Sequence, residues 1–352
     1  MYSSLLRPLL FRLDPEHAHE LAMGALSTLQ RVTPLPPALR RWVRAERPSL
    51  KTQVAGLDFA NPVGLAAGLD KDAQAIAGLF GLGFGSVEVG TVTPRPQPGN
   101  DRPRLFRIPD HQALINRMGF NNLGADEMAR RLQRVSFRPG PVGVNIGKNR
   151  DTPLERALED YVACARVLAP LADYVAVNLS SPNTPGLRTL QEPEALEKLL
   201  LAVRAEVKAR PVFLKIAPDL TDEAIDAAVD VALSTKIDGL ICANTTLSRP
   251  FEHPVAKEAG GLSGRPLKEK STGVVRRAFV RAHGRLPIIG VGGIFSGLDA
   301  WEKICAGASL VQLYTGFVYG GPLVVGSVLE VIEAKLREAG LDSVAKAVGR
   351  DA

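Results

Sequence analysis

A chain of 352 residues, 45 % hydrophobic and 23 % charged, carries enough apolar material for one large α/β domain with a small appendage. Aromatic residues are scarce at 5 %, which argues against a stacking platform for single-stranded nucleic acid, and the isolated Cys164, Cys242 and Cys305, with no CxxC pair, argue against zinc or iron–sulfur ligation. Of the net charge of +6, residues 1–51 hold eight basic against four acidic side chains; with no basic run suited to reading bases, this excess points to an anionic lipid surface rather than nucleic acid.

At the N-terminus, Leu5, Leu6, Leu9, Leu10 and Leu13 recur at helical spacing and make one apolar face. Asp14 reads as an N-cap with Pro15 in the first helical position. A second helix then carries Ala18, Leu21, Ala22, Ala25, Leu26 and Leu29, and stops before Pro34. The greasy stripe either packs on the main domain or serves as an interfacial anchor and the mouth of a lipid-accessible tunnel. Arg7, Arg12 and Asp14 interrupt any signal-peptide core. Residues 33–48, rich in Pro and Arg, read as a linker.

From about residue 52 short β-rich runs alternate with amphipathic stretches. Strands are predicted at 62–67, 85–89, 142–146, 174–178, 212–216, 239–243, 287–291 and 309–314, with helices at 154–168, 194–209, 222–234 and 268–283. Alternating β and α units imply a parallel sheet, and eight of them fit a closed (β/α)₈ TIM barrel better than an open doubly wound sheet. The Pro-rich segment 93–116 is expected to make an excursion over the barrel mouth. The uncharged stretch 304–329 is long enough to span a bilayer, but its glycines and Pro322 make it a buried strand, a glycine loop and a helix start.

Polar or glycine-rich strings follow nearly every predicted strand, and in a barrel these positions converge on the C-terminal face, where a site is built. Gly260-Gly261-Leu262-Ser263-Gly264 follows the sixth strand, Gly290-Val291-Gly292-Gly293 ends the seventh, and Tyr314-Thr315-Gly316 ends the eighth. Glycines let backbone N–H groups approach an anion, so a phosphate-bearing cofactor is expected, with tight turns as the plain alternative. Lys71 in Gly68-Leu69-Asp70-Lys71 and Lys215 in Leu214-Lys215-Ile216 place cations in or beside apolar strands, which is costly without an anion or electron-rich ring to meet them. A flavin needs positive charge beside N1 and O2, and either lysine suits it; a buried ion pair for Lys215 and a solvated loop for Lys71 are the alternatives.

Asparagine is a poor strand residue, yet Asn145, Asn178 and Asn244 stand at strand ends, joined by Asn116 and Asn183. An amide offers donor and acceptor together, which suits a planar imide or ureide ring, although loop capping explains any single one. The loop Asn178-Leu179-Ser180-Ser181-Pro182-Asn183-Thr184-Pro185-Gly186 adds a hydroxyl where a base would sit. His17, His19, His111, His253 and His283 lie in no triad-like motif, so serine acyl transfer is poorly supported.

Taken together, Leu13-Asp14-Pro15-Glu16, Gly64-Leu65-Ala66-Ala67-Gly68-Leu69-Asp70-Lys71, Gly90-Thr91-Val92-Thr93-Pro94-Arg95-Pro96-Gln97, Ser180-Ser181-Pro182-Asn183-Thr184-Pro185-Gly186 and Gly290-Val291-Gly292-Gly293-Ile294 resemble the dihydroorotate dehydrogenase family over nearly the whole chain. The resemblance implies one FMN per chain and oxidation of dihydroorotate to orotate, the redox step of pyrimidine synthesis. Serine at 181, where cytosolic relatives carry cysteine, implies the membrane-associated, quinone-reducing class. It implies residues 1–45 as a helical membrane-associating and quinone-tunnel domain, and 46–352 as the FMN-binding barrel.

By motif, Ser181 resembles the base that takes the C5 proton while hydride leaves C6. Lys71, Asn116, Arg117, Met118, Gly119, Phe120, Asn178, Asn183, Asn244 and Thr245 resemble the substrate contacts. Ala67, Gly68, Leu69, Asp70, Lys71, Thr91, Asn145, Asn178, Lys215, Ala243, Gly264, Gly293, Tyr314 and Thr315 resemble the FMN contacts. His19, Arg107 and Tyr314 are the candidates for the quinone head group. Ala243 departs from the pattern, standing where relatives often have threonine; a hydroxyl contact to the flavin would be lost there. No metal and no obligate protein partner is implied, and the expected location is peripheral, on the cytoplasmic side of a bacterial cell membrane. The rival readings are another FMN barrel oxidoreductase that uses fumarate or NAD, and a non-catalytic barrel that binds phosphate ligands or membranes.

Overall fold

The computed structural model describes residues 2–32, 34–184 and 186–352. A wide helical turn at Tyr2–Leu6 runs into α1 (Arg7–Leu10), followed by α2 (Pro15–Leu29) and α3 (Leu35–Trp42). Asp14 caps α2: its carboxylate accepts from the Glu16 and His17 N–H groups at 2.9 and 3.0 Å, and Pro15 fills a position whose N–H would go unused.

The expected linker at 33–48 is corrected, because α3 lies inside it. Pro36 and Pro37 fall in the first turn, where a missing N–H removes no helical hydrogen bond. Arg40 at its end is buried and donates to the carbonyls of Phe80 and Phe84 at 3.2 and 2.8 Å. A segment that reads as a tether is therefore a helix fastened to the barrel wall.

The hairpin β1 (Thr52–Val54) and β2 (Leu57–Phe59) precedes the first barrel strand, β3 (Val63–Leu65). Then come α4 (Ile76–Gly81) and β4 (Ser86–Val92), and an excursion that forms β5 (Leu105–Ile108) and β6 (Ala113–Asn116). The alternation continues through α5 (Ala125–Leu132), β7 (Val142–Ile146), α6 (Ala157–Leu168), β8 (Tyr174–Asn178), α7 (Pro193–Val207), β9 (Val212–Ile216), α8 (Asp222–Ser234) and β10 (Gly239–Cys242). After β11 (Gly261–Gly264) come α9 (Lys268–Ala282), β12 (Ile288–Val291), α10 (Gly297–Cys305) and β13 (Leu310–Leu313), closed by α11 (Thr315–Gly320) and α12 (Val324–Glu338).

Eight parallel strands close into a barrel in the order β3-β4-β7-β8-β9-β10-β12-β13, which is the predicted (β/α)₈ architecture. The glycine string at 260–264, read as a loop, instead supplies β11, which pairs with β6 and through it with β5 in a small antiparallel sheet. That sheet is the excursion expected from 93–116, with a third strand arriving from far along the chain.

Successive side chains of a strand point to opposite faces, so the barrel interior is built in layers. The lower layer is apolar: Tyr174, Ala176, Phe213, Ile241, Ile289 and Leu310 pack with Val54 and Phe59 of the hairpin. Towards the C-terminal ends the inward positions become Glu88, Asn145, Asn178, Lys215 and Gln312, all buried. The larger hydrophobic core lies outside, between strands and helices, where each fully buried aliphatic side chain contributes roughly 1.5–3 kcal/mol.

Candidate active site

The polar layer is one connected network. Glu88 accepts from Asn145 Nδ2 at 2.8 Å, Tyr174 Oη at 3.0 Å and Gln312 Nε2 at 2.9 Å, and lies 3.9 Å from Lys215 Nζ. Asn145 Oδ1 accepts from Thr91 Oγ1 at 2.5 Å and Asn178 Nδ2 at 3.1 Å. The strand-end asparagines thus have a reason: their amides bridge neighbouring strands where the backbone ladder ends. Two features of the network are unspent. Lys215 donates no hydrogen bond among the described residues, and burial, opposed only by Glu88, holds its ammonium below the ordinary lysine value. Gln312 Oε1 is buried with no donor among the described residues.

Above the network a cavity of about 140 Å³ opens at the C-terminal ends of the strands. Towards β12 and β13 its wall is Ser263, Gly264, Leu267, Gly292, Gly293, Thr315 and Gly316, with Ser263 and Thr315 sharing a hydrogen bond of 2.8 Å. Gly293 has φ +72°, and a Cβ there would stand 2.3 Å from Lys268 Cα, so only glycine permits this close turn. Elsewhere the wall is Lys71, Asn116, Met118, Gly119, Phe120, Asn178, Ser181, Asn183, Asn244 and Thr245. Ala67, Gly68, Thr91, Lys215, Ala243 and Tyr314 complete it among the residues singled out from sequence.

Ser181 is buried at 5 % exposure, and its Oγ accepts from the Asn183 N–H at 3.2 Å. Lys71 Nζ donates to Asn121 Oδ1 at 2.6 Å; burial brings its pKa down to about 8, Arg104 pushes the same way, and Glu16 and Asp72 oppose. Asn183 Nδ2 reaches Asn116 Oδ1 at 3.2 Å, and Asn244 Nδ2 reaches Ser180 Oγ at 2.9 Å. The amides thus form two hydrogen-bonded pairs near Ser181, Asn116 with Asn183 and Asn178 with Asn244.

Four of the substrate and flavin candidates stand elsewhere. Arg117 turns its guanidinium away from the cavity to Glu258 at 2.6 Å and Pro103 O at 2.8 Å. Asp70 is buried and spends its carboxylate on the Gln74 and Ala75 N–H groups at 2.8 and 2.9 Å, with burial raising its pKa to about 6. Asn145 lies beneath the cavity in the network, and Leu69 lines a second cavity.

Sequence reasoning missed Glu88, Gln312 and Tyr174, though a lone glutamate in Ser86-Val87-Glu88-Val89 was a readable signal of a buried charge. It also missed Arg188, which donates to Ser180 O at 3.0 Å, Thr245 O at 3.1 Å and Asp219 at 3.0 Å, tying the Ser181 loop to the loop after β10. Asp219 is held at about 2: burial pushes it up, but Lys270, Thr246 and Arg188 together outweigh that.

The second cavity, about 210 Å³, lies between α1, α2 and the barrel mouth. Leu10, Phe11, Ala18, Ala22, Met23, Leu26 and Phe317 make it apolar, and it shares Leu105, Leu114 and Tyr314 with the first cavity. His19, Arg107 and Tyr314, the quinone candidates, all line it. Burial, reinforced by Lys71, brings His19 down to about 4, so the imidazole is neutral near pH 7. Arg107 is anchored to Leu13 O at 2.8 Å and Phe11 O at 3.3 Å. Burial lifts Tyr314 to about 12, and its hydroxyl stays protonated. Outside, Leu5, Leu6, Leu9, Leu13, Leu21, Val32 and Trp42 are exposed, while no helix among the described residues is long and apolar enough to cross a membrane.

Residues 49–336 match the family described as dihydroorotate dehydrogenase. A protein from Myxococcus xanthus (strain DK1622) named dihydroorotate dehydrogenase (quinone) is 58 % identical over 352 residues, covering 99 % of this chain and 97 % of the relative. One of the same name from Thermus thermophilus is 55 % identical over 317 residues, 89 % of this chain and 91 % of the relative. The crystal structure of ligand-free DHODH from Eimeria tenella is similar over 96 % of this chain and 99 % of that one, with a TM-score of 0.88 and 42 % identity. A DHODH structure from the same organism in complex with ferulenol aligns over 96 % of both chains, with a TM-score of 0.86 and 40 % identity.

Proposed function

The chain belongs to the dihydroorotate dehydrogenase family, and from that premise we propose that it oxidises dihydroorotate to orotate with a quinone as electron acceptor, in pyrimidine synthesis. The observation that carries the two-substrate reading is a pair of back-to-back cavities, one polar and one apolar, sharing Leu105, Leu114 and Tyr314.

The family is flavin-dependent, and the polar cavity fits FMN in particular. Lys215 and Gln312 present an uncommitted cation and an unmet acceptor beneath it, while Gly264, Gly292 and Gly293 leave room for a phosphate against backbone. FMN bound there would supply the hydride acceptor and the electron store between the two substrates. Lys215 and Lys71 would stabilise negative charge on the reduced ring. Ala243 lines the same cavity and offers it no hydroxyl.

Ser181 takes the C5 proton of the substrate at its Oγ while its own hydroxyl proton passes out to solvent, so the serine ends the step neutral. A hydroxyl is a weak base, and the enclosing wall excludes water so that the orientation of Ser181 and the charge of nearby Lys71 count for more. Asn116, Asn178, Asn183 and Asn244 meet the ring with paired donors and acceptors, fixing C5 towards Ser181, while Lys71 offers a charge to the anionic product. On the apolar side the neutral His19, Arg107 and Tyr314 would receive the quinone head group. Residues 1–45 would make the tunnel wall and, through the exposed leucines and Trp42, rest on the cytoplasmic face of a bacterial membrane with anionic lipid against the basic N-terminal segment.

The test is an absorbance spectrum of the purified protein, before and after anaerobic dihydroorotate, then after a short-chain quinone. Flavin bands that bleach with substrate and return with quinone, but not with fumarate or NAD, are expected. Return with fumarate or NAD would move the protein to another acceptor class, and a flavin that stays oxidised would sink the substrate assignment.

A further inference from the structure

Lys303 on α10 has no exposed surface. Its aliphatic stem crosses β12 so closely that a Cβ on Gly290 would stand 2.6 Å from its Cδ. The ammonium donates to Ser271 Oγ at 2.9 Å and Thr272 Oγ1 at 2.8 Å, and no carboxylate pairs with it among the described residues. Ser271 Oγ in turn lies 3.0 Å from the Gly292 carbonyl and 3.0 Å from that of Lys268, the residue whose backbone packs on Gly293. A cation thus sits one hydrogen-bonded layer behind the wall that Gly292 and Gly293 give the polar cavity.

That stretch of wall carries no charge of its own: Ser263, Gly264, Leu267, Gly292, Gly293 and Thr315 offer only backbone and hydroxyls. Lys268, the neighbouring lysine, is spent on Asp299 at 3.0 Å and Glu302 at 2.8 Å. An ammonium buried among hydroxyls is expensive, and a leucine or methionine would brace α10 against β12 more cheaply. What a lysine adds is a field across a thin, dry layer, where charge interactions are stronger than in water.

We propose that Lys303 is a buried counter-charge for the phosphate of the flavin nucleotide, acting through the wall at Gly292 and Gly293 without touching the phosphate, and so selecting FMN over riboflavin. The proposal rests on the FMN reading above. Burial brings the Lys303 pKa down to about 7, so a dianion behind the wall would draw a proton onto it. Lys268, Asp299, Glu302 and Cys242 are the titratable groups whose charges act on it, and the lysine and the two carboxylates are already engaged with one another.

The experiment titrates full-length protein, freed of flavin, with FMN and with riboflavin, following flavin fluorescence. Lys303→Met is expected to weaken FMN at least about ten-fold and riboflavin less than about two-fold. Equal loss of both would reduce Lys303 to a structural brace, and unchanged FMN affinity would overturn the proposal outright. The wild-type protein supplies a check if the variant fails to fold: calorimetry at about pH 8 in two buffers of different ionisation enthalpy should show proton uptake with FMN and none with riboflavin. Absence of that uptake counts against a responsive lysine. Wild-type protein that binds neither flavin would end the FMN reading and this proposal together, a result distinct from FMN binding that ignores the variant.

Discussion

The two cavities touch through Leu105, Leu114 and Tyr314, yet they are made by opposite means. The polar one is set into the barrel strands, whose inward amides bond to Glu88 and to one another across the barrel, with Lys215 and Gln312 Oε1 left without a hydrogen bond among the described residues. The apolar one is roofed by α1 and α2; of its polar members, His19 and Tyr314 are pushed by burial towards their uncharged forms, and Arg107 is held by the Leu13 and Phe11 carbonyls. A rigid site for a polar ring needs fixed donors, whereas a site for a greasy carrier needs mostly apolar walls. The same fold supplies one from strand ends and the other from an added helical lid.

The sharpest way to break this contrast is Ser181→Ala. Turnover of dihydroorotate should fall roughly 10²–10⁴-fold at neutral pH while the flavin stays bound and quinone still reoxidises a chemically reduced protein. Full turnover would remove Ser181 from the chemistry. Next in size is Glu88→Ala, which deprives Lys215 of its only nearby opposite charge among the described residues, and Tyr174 and Gln312 of their acceptor. Denaturant unfolding of the flavin-free protein should show a loss of about 3 kcal/mol, and no loss would mean the network is not the rigid base described.

On the apolar side, Ala22→Trp fills the second cavity without approaching Ser181. It should raise the apparent KM for quinone about ten-fold, near 1.4 kcal/mol, and leave reduction by dihydroorotate unchanged. Equal damage to both half-reactions would show that the cavities are not separate. The smallest effect is in pH. The charge of Lys71 is present below its pKa of about 8 and is lost as pH rises through it, so affinity for the anionic substrate should decline from neutral pH upward and Lys71→Met should flatten that profile. The quinone half-reaction should stay level over the same range, because His19, at about 4, is neutral throughout.

Some of this was readable from the chain alone. β7, β8 and β9 begin and end where the apolar runs do, because parallel barrel strands buried on both faces leave short continuous hydrophobic stretches. The gathering of Ser181 with the asparagines was readable too, since strand ends of a barrel converge whatever the spacing between them. α3 was not, because Pro34, Pro36 and Pro37 with Arg40, Arg41 and Arg44 mask a helix whose stability comes from Arg40 meeting Phe80 and Phe84. Nor was the role of Arg117, which sits in a substrate-like string but finds Glu258, 141 residues on. The network around Glu88 closes through Gln312, 224 residues away, and no local pattern announces such a partner.

α2 is pinned at both ends. Near its start Glu16 is gripped by Arg104 at 2.6 Å and Arg102 at 3.0 Å, and just past its end Gln30 bonds to Gln74 O at 2.6 Å and to the Ala77 N–H at 3.1 Å. Contacts at both ends resist swinging of α2 and so set its height above the strands. If the protein rests on lipid through that lid, as proposed above, the standoff between bilayer and redox centre would be a built-in dimension. On the proposed reading, a carrier would climb to the flavin, and how far its ring must leave the hydrocarbon would be decided by two clamps rather than by the depth to which the leucines sink.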